Sequence, residues 1–368
     1  MQTIRPPVIH VVMMDGTFAS LVEGRRSSMA RIHALLRGRH GLVGDGTRMR
    51  LHYTAGQQWD RLRTIPDLML GRALETWISD AYGWLASQYA PGDLVFLLGY
   101  SRGAFAVRSL AGLIGHVGLL RPHAATERHI RLGWRLYSDG GSDAARKVYR
   151  QRCHDRVPIR MVGCFDTVMA LGVRLPFLWA LTEPQFRFHD AHLGADVEHG
   201  FHALALDETR AAFAPLLWDD ESACAHIEQV WFRGAHPDVG GQLNGIEMSR
   251  PLANIPLVWM MGRAESVGLP LPQGWQGRFP CDASAPSIGS WRKWGKAFLR
   301  RRARVAGAEH SEAIHPTVPR PYRGPAKLTG ALADDGRAAG DAVPETSDPS
   351  PSQADRSVSN ELGTGSLV

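Results

Sequence analysis

The sequence has few cysteines, no long apolar run and no surplus of acidic residues. Its four cysteines, Cys153, Cys164, Cys224 and Cys281, are scattered and form no Cys-x-x-Cys pair. That excludes a disulfide-stapled mini-fold and a cysteine-rich metal module, and it fits a reduced compartment. No window approaches the ~20 consecutive apolar residues of a membrane-spanning helix, so none is expected. The amino-terminal stretch MQTIRPPVIHVVMMDGT holds one arginine, two prolines and an apolar run too short for a secretory leader. The expectation is synthesis in the cytoplasm, with any export using a leader-independent route. Lys and Arg number 42 against 36 Asp and Glu, a formal charge of +6. A basic surface favours anionic partners such as phosphate-bearing lipid or nucleic acid. No groove-reading motif accompanies it, so nucleic acid is set aside. From about Thr329 the chain has no aromatic residue and is rich in Ser, Pro, Asp and Gly. Such a segment cannot bury enough apolar surface to offset its ordering entropy, and 329–368 is expected to be disordered.

Five short apolar runs are present, each ending at a polar or glycine-rich turn. They are Val8–Met14 before Asp15-Gly16-Thr17, Met49–Thr54 before Ala55-Gly56, and Leu94–Leu98 before Gly99-Tyr100-Ser101. Ile159–Phe165 follows before Asp166-Thr167, then Ile227–Phe232 before Arg233-Gly234-Ala235-His236. Helical patterns lie between them, at Asp67–Tyr89 and Ala104–Ile114. Strands alternating with helices imply an α/β fold with a mostly parallel central sheet and helices on both faces. Ligands in such folds bind beyond the carboxyl ends of the strands, where each of these runs delivers a polar residue. One catalytic domain over 1–325 is expected, with an irregular lid or cap at 176–217 and a basic helix at 291–304.

The sharpest local signal is Gly99-Tyr100-Ser101-Arg102-Gly103, a G-x-S-x-G pattern with LVFLL before it and AFAVRSLAGLIG after it. A serine nucleophile needs a tight strand-to-helix turn that projects its hydroxyl, and Gly99 and Gly103 leave room for the crowded backbone. The same pentapeptide also occurs as an ordinary turn; the strand and helix around it favour the catalytic reading. A serine needs a base oriented by an acid. Among 16 histidines, His236 alone follows a strand inside a glycine-rich loop. Asp166 closes its own strand and gives the chain order Ser101, Asp166, His236. Asp238 is the rival acid, with Asp190 and Asp207 more distant rivals. The amide of Arg102, helped by those of Gly16 or Thr17, would stabilise an oxyanion; Asp15-Gly16-Thr17 reads equally as a plain β-turn.

The landmarks MMDGT, YTAG, YAPGDLVFLLGYSRGAFAVRSLAGLIGHVGLL, CFDTV, HALALDETRAAFAPLLW, VWFRGAHPDVGG, LANIPLVWMMGRAESVGL and IHPTVPRPY stand in this order. In them the chain resembles the type VI secretion phospholipase effectors of the α/β-hydrolase superfamily, from about residue 8 to about residue 323. It departs from the family at Pro237, where serine is usual, after Gly241, where a longer glycine run is usual, and at Asn254, near which an aspartate is usual. The resemblance implies an esterase or phospholipase using Ser101, Asp166 and His236, and a type VI route of export. His202, Asp207 and Glu208 look important to the family and read as a structural support.

The expectation is therefore an α/β-hydrolase that cleaves carboxylic esters, first of all phospholipid acyl esters, through an acyl-enzyme on Ser101, with no metal or organic cofactor. A catalytically silent hydrolase-like binding module and an esterase of small soluble esters are the alternatives. The basic stretch carries Arg292, Lys293, Lys296, Arg300, Arg301, Arg302 and Arg304 beside Trp291, Trp294, Phe298 and Leu299. It would lie on an anionic membrane surface, or simply be a solvated basic helix.

Overall fold

The computed structural model describes residues 5–38, 41–42, 48–57, 72–168, 192–219, 221–224, 226–292, 296 and 298–334. In chain order the elements are strand β1 (Val8–Met14), helix α1 (Ser28–Arg37), β2 (Gly41–Leu42), β3 (Arg48–Thr54), α2 (Arg72–Ala86) and β4 (Leu94–Tyr100). Next come α3 (Arg102–Val117), α4 (Glu127–Ser138), α5 (Asp143–Arg150), β5 (Ile159–Phe165), β6 (His199–Ala205) and β7 (His226–Phe232). The remainder are α6 (His236–Gly240), α7 (Arg250–Ser266), β8 (Val305–Ala306), β9 (Glu312–Ile314), β10 (Lys327–Leu328) and α8 (Ala331–Asp334).

The main sheet has the order β2-β3-β1-β4-β5-β6-β7-β9. Only β2 runs antiparallel; every other neighbouring pair is parallel. Strand β4, which leads into Ser101, is thus central, flanked by β1 and β5. Successive side chains of a strand point to opposite faces, and both faces here are covered. Val12 and Met14 of β1 and Val95 and Leu97 of β4 pack with α2, α3, α4 and α5 on one face. Ile9, Val11 and Met13, with Phe96, Leu98 and Tyr100, pack with α1 and α7 on the other. Burying an aliphatic side chain such as Leu97 completely is worth about 1.5–3 kcal/mol. This two-sided burial is why these strands read as continuous apolar runs in the sequence.

All five expected strands lie in this sheet. A sixth long strand, β6, falls inside the stretch expected to be a lid. Residues 176–191 of that stretch lie outside the described residues; its remainder contributes β6 to the sheet between β5 and β7. The reason is physical: HGFHALA carries little β-branched bulk, yet six of its seven residues are buried between the two helical layers. The first residues of the expected helix Asp67–Tyr89 also lie outside the described residues, and α2 begins at Arg72.

Two further expectations change. Of the expected helix 291–304, residues 293–295 and 297 lie outside the described residues, and no helix runs through 298–304. This end is extended and pairs with 209–211: the Ala211 amide donates to the Arg300 carbonyl and the Arg302 amide to the Thr209 carbonyl. Arg301 Nη1 donates to Ser290 and Thr209, and its guanidinium stacks 3.7 Å from the Trp291 ring. The segment from 329 also begins with structure. The Thr329 amide donates to the Ala306 carbonyl, and Leu332, 3% exposed, packs with Trp231, Ile314 and Val318. Residues 335–368 lie outside the described residues.

Candidate active site

Ser101 directly follows β4, Asp166 directly follows β5 and His236 opens α6 just beyond β7, and parallel pairing brings the three strand ends to one edge. Ser101 follows β4 with φ 57° and ψ −121°, a backbone conformation that side-chain-bearing residues rarely adopt. Holding it there costs roughly 1–3 kcal/mol, which the surrounding packing supplies. The Ser101 amide donates to the Phe165 carbonyl, tying the turn to the end of β5. The two flanking glycines are sterically required. A Cβ at Gly103 would stand 2.1 Å from the Met14 carbonyl oxygen, and one at Gly99 would stand 2.5 Å from the Gly103 carbonyl oxygen.

The side chains form a continuous chain of hydrogen bonds. His236 Nε2 lies 2.8 Å from Ser101 Oγ, and His236 Nδ1 lies 2.6 Å from Asp166 Oδ2. All three residues are buried. The imidazole is held between the Tyr100 and Phe213 rings, each with its centroid 4.9 Å away. Burial pushes the His236 imidazole below its ordinary range, against the opposing pull of Asp166. It therefore stays neutral near pH 7, with a lone pair available to the serine proton. Asp166 is the reverse case. Burial alone would raise its carboxyl, but Arg304 and then His236 hold it far below the usual carboxylate range.

The rival acid, Asp238, is buried but engaged elsewhere. Its carboxylate accepts the Ala235 and Ile288 amides at 2.8 Å and the Ser287 hydroxyl at 2.6 Å. Asp207 accepts the Gly234 amide and the Tyr322 hydroxyl, each at 2.7 Å. Asp190 lies outside the described residues. Of the amides expected to bind an oxyanion, that of Gly16 is already used, donating to Asp15 Oδ1 at 2.8 Å. Thr17 and Arg102 are left as candidates, and Thr17 Oγ1 accepts Arg102 Nε at 2.5 Å. Gly16 itself packs against Ser101, since a Cβ there would stand 3.2 Å from Ser101 Cβ. Asp15 also accepts the Ser27 and Tyr53 hydroxyls, so it anchors the whole turn.

Three further residues stand near the site: His202 and Glu208, read in the sequence as structural supports, and Arg304, read only as one of a basic stretch. Arg304 donates to both Asp166 oxygens. Glu208 accepts the His236 amide at 3.2 Å and pairs with Arg210 at 2.6 Å. His202 Nε2 accepts the Thr167 amide at 3.1 Å; burial, then Arg108, lowers its imidazole to about 3, so it stays neutral. For Glu208 and His202 the signal was in FHALALDE. For Arg304 nothing distinguished it from the neighbouring arginines.

Fold and site together define an α/β-hydrolase-type protein with a serine, histidine and aspartate in hydrogen-bonded series at the sheet edge. More particularly, a model described as the catalytic domain of the type VI secretion system phospholipase effector Tle1-like family matches residues 9–263, and the chain belongs to that family. The uncharacterized protein YEL023C of Saccharomyces cerevisiae is 30% identical over 167 residues, which are 42% of this chain and 23% of the yeast protein. A solved Tle1 effector bound to the VgrG spike of the type VI secretion system is 17% identical, over 64% of this chain and 51% of that one, with a TM-score of 0.39. An uncharacterized Pseudomonas aeruginosa protein is 17% identical, over 75% of this chain and 49% of that one, with a TM-score of 0.42. The chain thus spans about half the length of those two structures and under a quarter of the yeast relative.

Proposed function

We propose that this protein hydrolyses carboxylic esters, with phospholipid acyl esters as substrate, through an acyl-enzyme on Ser101. The observation that carries the reading is the uninterrupted series Ser101 Oγ, His236 Nε2, His236 Nδ1 and Asp166 Oδ2. His236 takes the serine proton as Oγ attacks the ester carbonyl carbon, and Asp166 keeps the imidazole in the tautomer with its proton on Nδ1. The amides of Thr17 and Arg102 stabilise the developing oxyanion, and Arg102 opens α3, whose dipole favours negative charge there. The proton on His236 then passes to the departing alcohol, and water repeats the sequence to release the acid. Family membership supports phospholipid as the substrate and a type VI route of delivery. The exposed Trp291 and Leu299, with exposed Arg292, Lys296, Arg300 and Arg302 in the same stretch, suit an anionic lipid surface.

The test is fluorophosphonate labelling with the site mapped by mass spectrometry, alongside hydrolysis of a phospholipid panel. Label on Ser101, with turnover lost by several orders of magnitude in Ser101→Ala, is the expected result. Retained turnover in a folded Ser101→Ala protein would remove the nucleophile assignment. Hydrolysis of short soluble esters alone would leave the chemistry standing and replace the lipid substrate.

A further inference from the structure

We propose that Arg304 is a positioning residue for this site: it fixes the Asp166 carboxylate and balances its charge, so that Asp166 orients His236 without holding it protonated. The proposal rests on the Ser101–His236–Asp166 reading above and extends it to a residue beyond the 9–263 match.

The geometry is that of a fork closed on a carboxylate. Arg304 Nη1 donates to Asp166 Oδ1 at 2.5 Å and Nη2 to Asp166 Oδ2 at 2.9 Å. The same two nitrogens donate to the Ala205 carbonyl at 2.8 Å and the Phe213 carbonyl at 2.6 Å. The guanidinium is thereby held between the end of β6 and the residue whose ring packs on His236. Its own backbone is fixed too, since the Arg304 carbonyl accepts the Lys327 amide at 2.8 Å. With the residue 5% exposed, this is a desolvated ion pair and not a surface bridge. A planar, delocalised fork suits the task in a way that a lysine ammonium does not. Asp166 Oδ1 also accepts the Ala205 amide, so the carboxylate is restrained on every side.

The charges then close. Glu208 and Arg210 cancel each other, and His202 and Tyr100 are uncharged near neutral pH. At rest Asp166 and Arg304 sum to zero beside a neutral His236. When Oγ attacks, its proton moves to His236 and the carbonyl electron pair moves to the carbonyl oxygen, so imidazolium and oxyanion again sum to zero. Without Arg304 the resting site would carry one buried negative charge. Such a charge favours a protonated His236, which cannot accept the serine proton.

The test compares wild type, Arg304→Gln and Arg304→Lys, with Ser101→Ala as the control for the underlying chemistry. With a soluble monomeric ester, Arg304→Gln should lower kcat by about 10- to 100-fold at little change in KM. The acidic limb of its kcat/KM profile should move to higher pH. Arg304→Lys should keep the limb in place while recovering only part of kcat. An NMR titration of His236, which needs no turnover, should move upward in Arg304→Gln and stay put in Arg304→Lys. An unmoved titration and limb in Arg304→Gln would overturn the proposal, leaving Arg304 a packing residue. Turnover by Ser101→Ala would instead overturn the serine reading, with the His236 titration still reporting on Arg304. If Arg304→Gln does not fold, Asp166→Asn is compared with Asp166→Asn/Arg304→Gln. The double variant should resist denaturant better, because the single one buries a cation without its partner; equal or lower resistance would again count against the proposal.

Discussion

Asp238 lies two residues beyond His236 and is as deeply buried as Asp166, but its oxygens face the loop at Ser287 and Ile288. Replacing either carboxylate with an amide should therefore have different consequences. Asp166→Asn should reduce kcat by about 10⁴, because an amide no longer selects the imidazole tautomer. Asp238→Asn should cost about 1–3 kcal/mol of stability through its broken loop hydrogen bonds, with kcat of the folded protein changed by less than about tenfold. Kinetics paired with melting curves separate the two, and comparable kcat losses in both would return the acid role to contention. Ser101 and Asp166 stood out in the sequence because each directly follows an apolar strand run, and His236 because it stands in a glycine-rich loop just beyond one. Arg304 did not. Seven cationic residues crowd 291–304, and only the tertiary path of that segment decides which one meets Asp166. A reading as a uniform basic helix made all of them surface groups, whereas one is a buried counter-ion of the site.

Strands flanked by helices were legible wherever β-branched and aromatic residues ran together, as in β1, β4, β5 and β7. Strand β6 was not, because Gly200, His199 and His202 interrupt its apolar residues, and its burial comes from neighbours far away in the chain. The same limitation applies at α8. Its composition resembles the polar segment that follows, yet Leu332 fills the space beside Trp231 and Val318. Leu332→Ala should lower stability by about 2 kcal/mol, at the small end for buried leucine because the site lies at the edge of the core. A chain ending at Gly330 should melt below one ending at Asp334, while the latter should match full length. Equal melting of the two truncated chains would show that α8 adds nothing to the fold.

Across the whole molecule, two buried carboxylates bend the pH–stability curve in opposite directions. Burial raises Asp15 from 3.8 to about 6, outweighing the Ser27, Tyr53 and Gly16 donors. Its contribution is complete below pH ~4 and is lost as pH rises through about 6, a loss of about 3 kcal/mol. Asp93 is also penalised by burial, but His10, the Val8 and Ala90 amides and Arg5 together lower it to about 2. Its contribution holds above pH ~4 and is lost as pH falls through about 2. Urea unfolding of wild type and Asp15→Asn from pH 4 to 7.5 should show wild type losing ground steadily to the variant. A constant difference would mean that Asp15 carries its charge without penalty. The strain is retained because the same carboxylate secures the turn beside Ser101. The sheet's outer strands have a further consequence, for solubility. A parallel sheet this apolar would offer any other chain a long hydrogen-bonding template at an open edge. Here one edge is the two-residue β2 and the other the three-residue β9, which covers Gln229, Val230 and Trp231 of β7. At the β9 edge three residues are too few to propagate a ladder, so residues 312–314 shield this part of β7 from edge-to-edge association as well as completing the sheet.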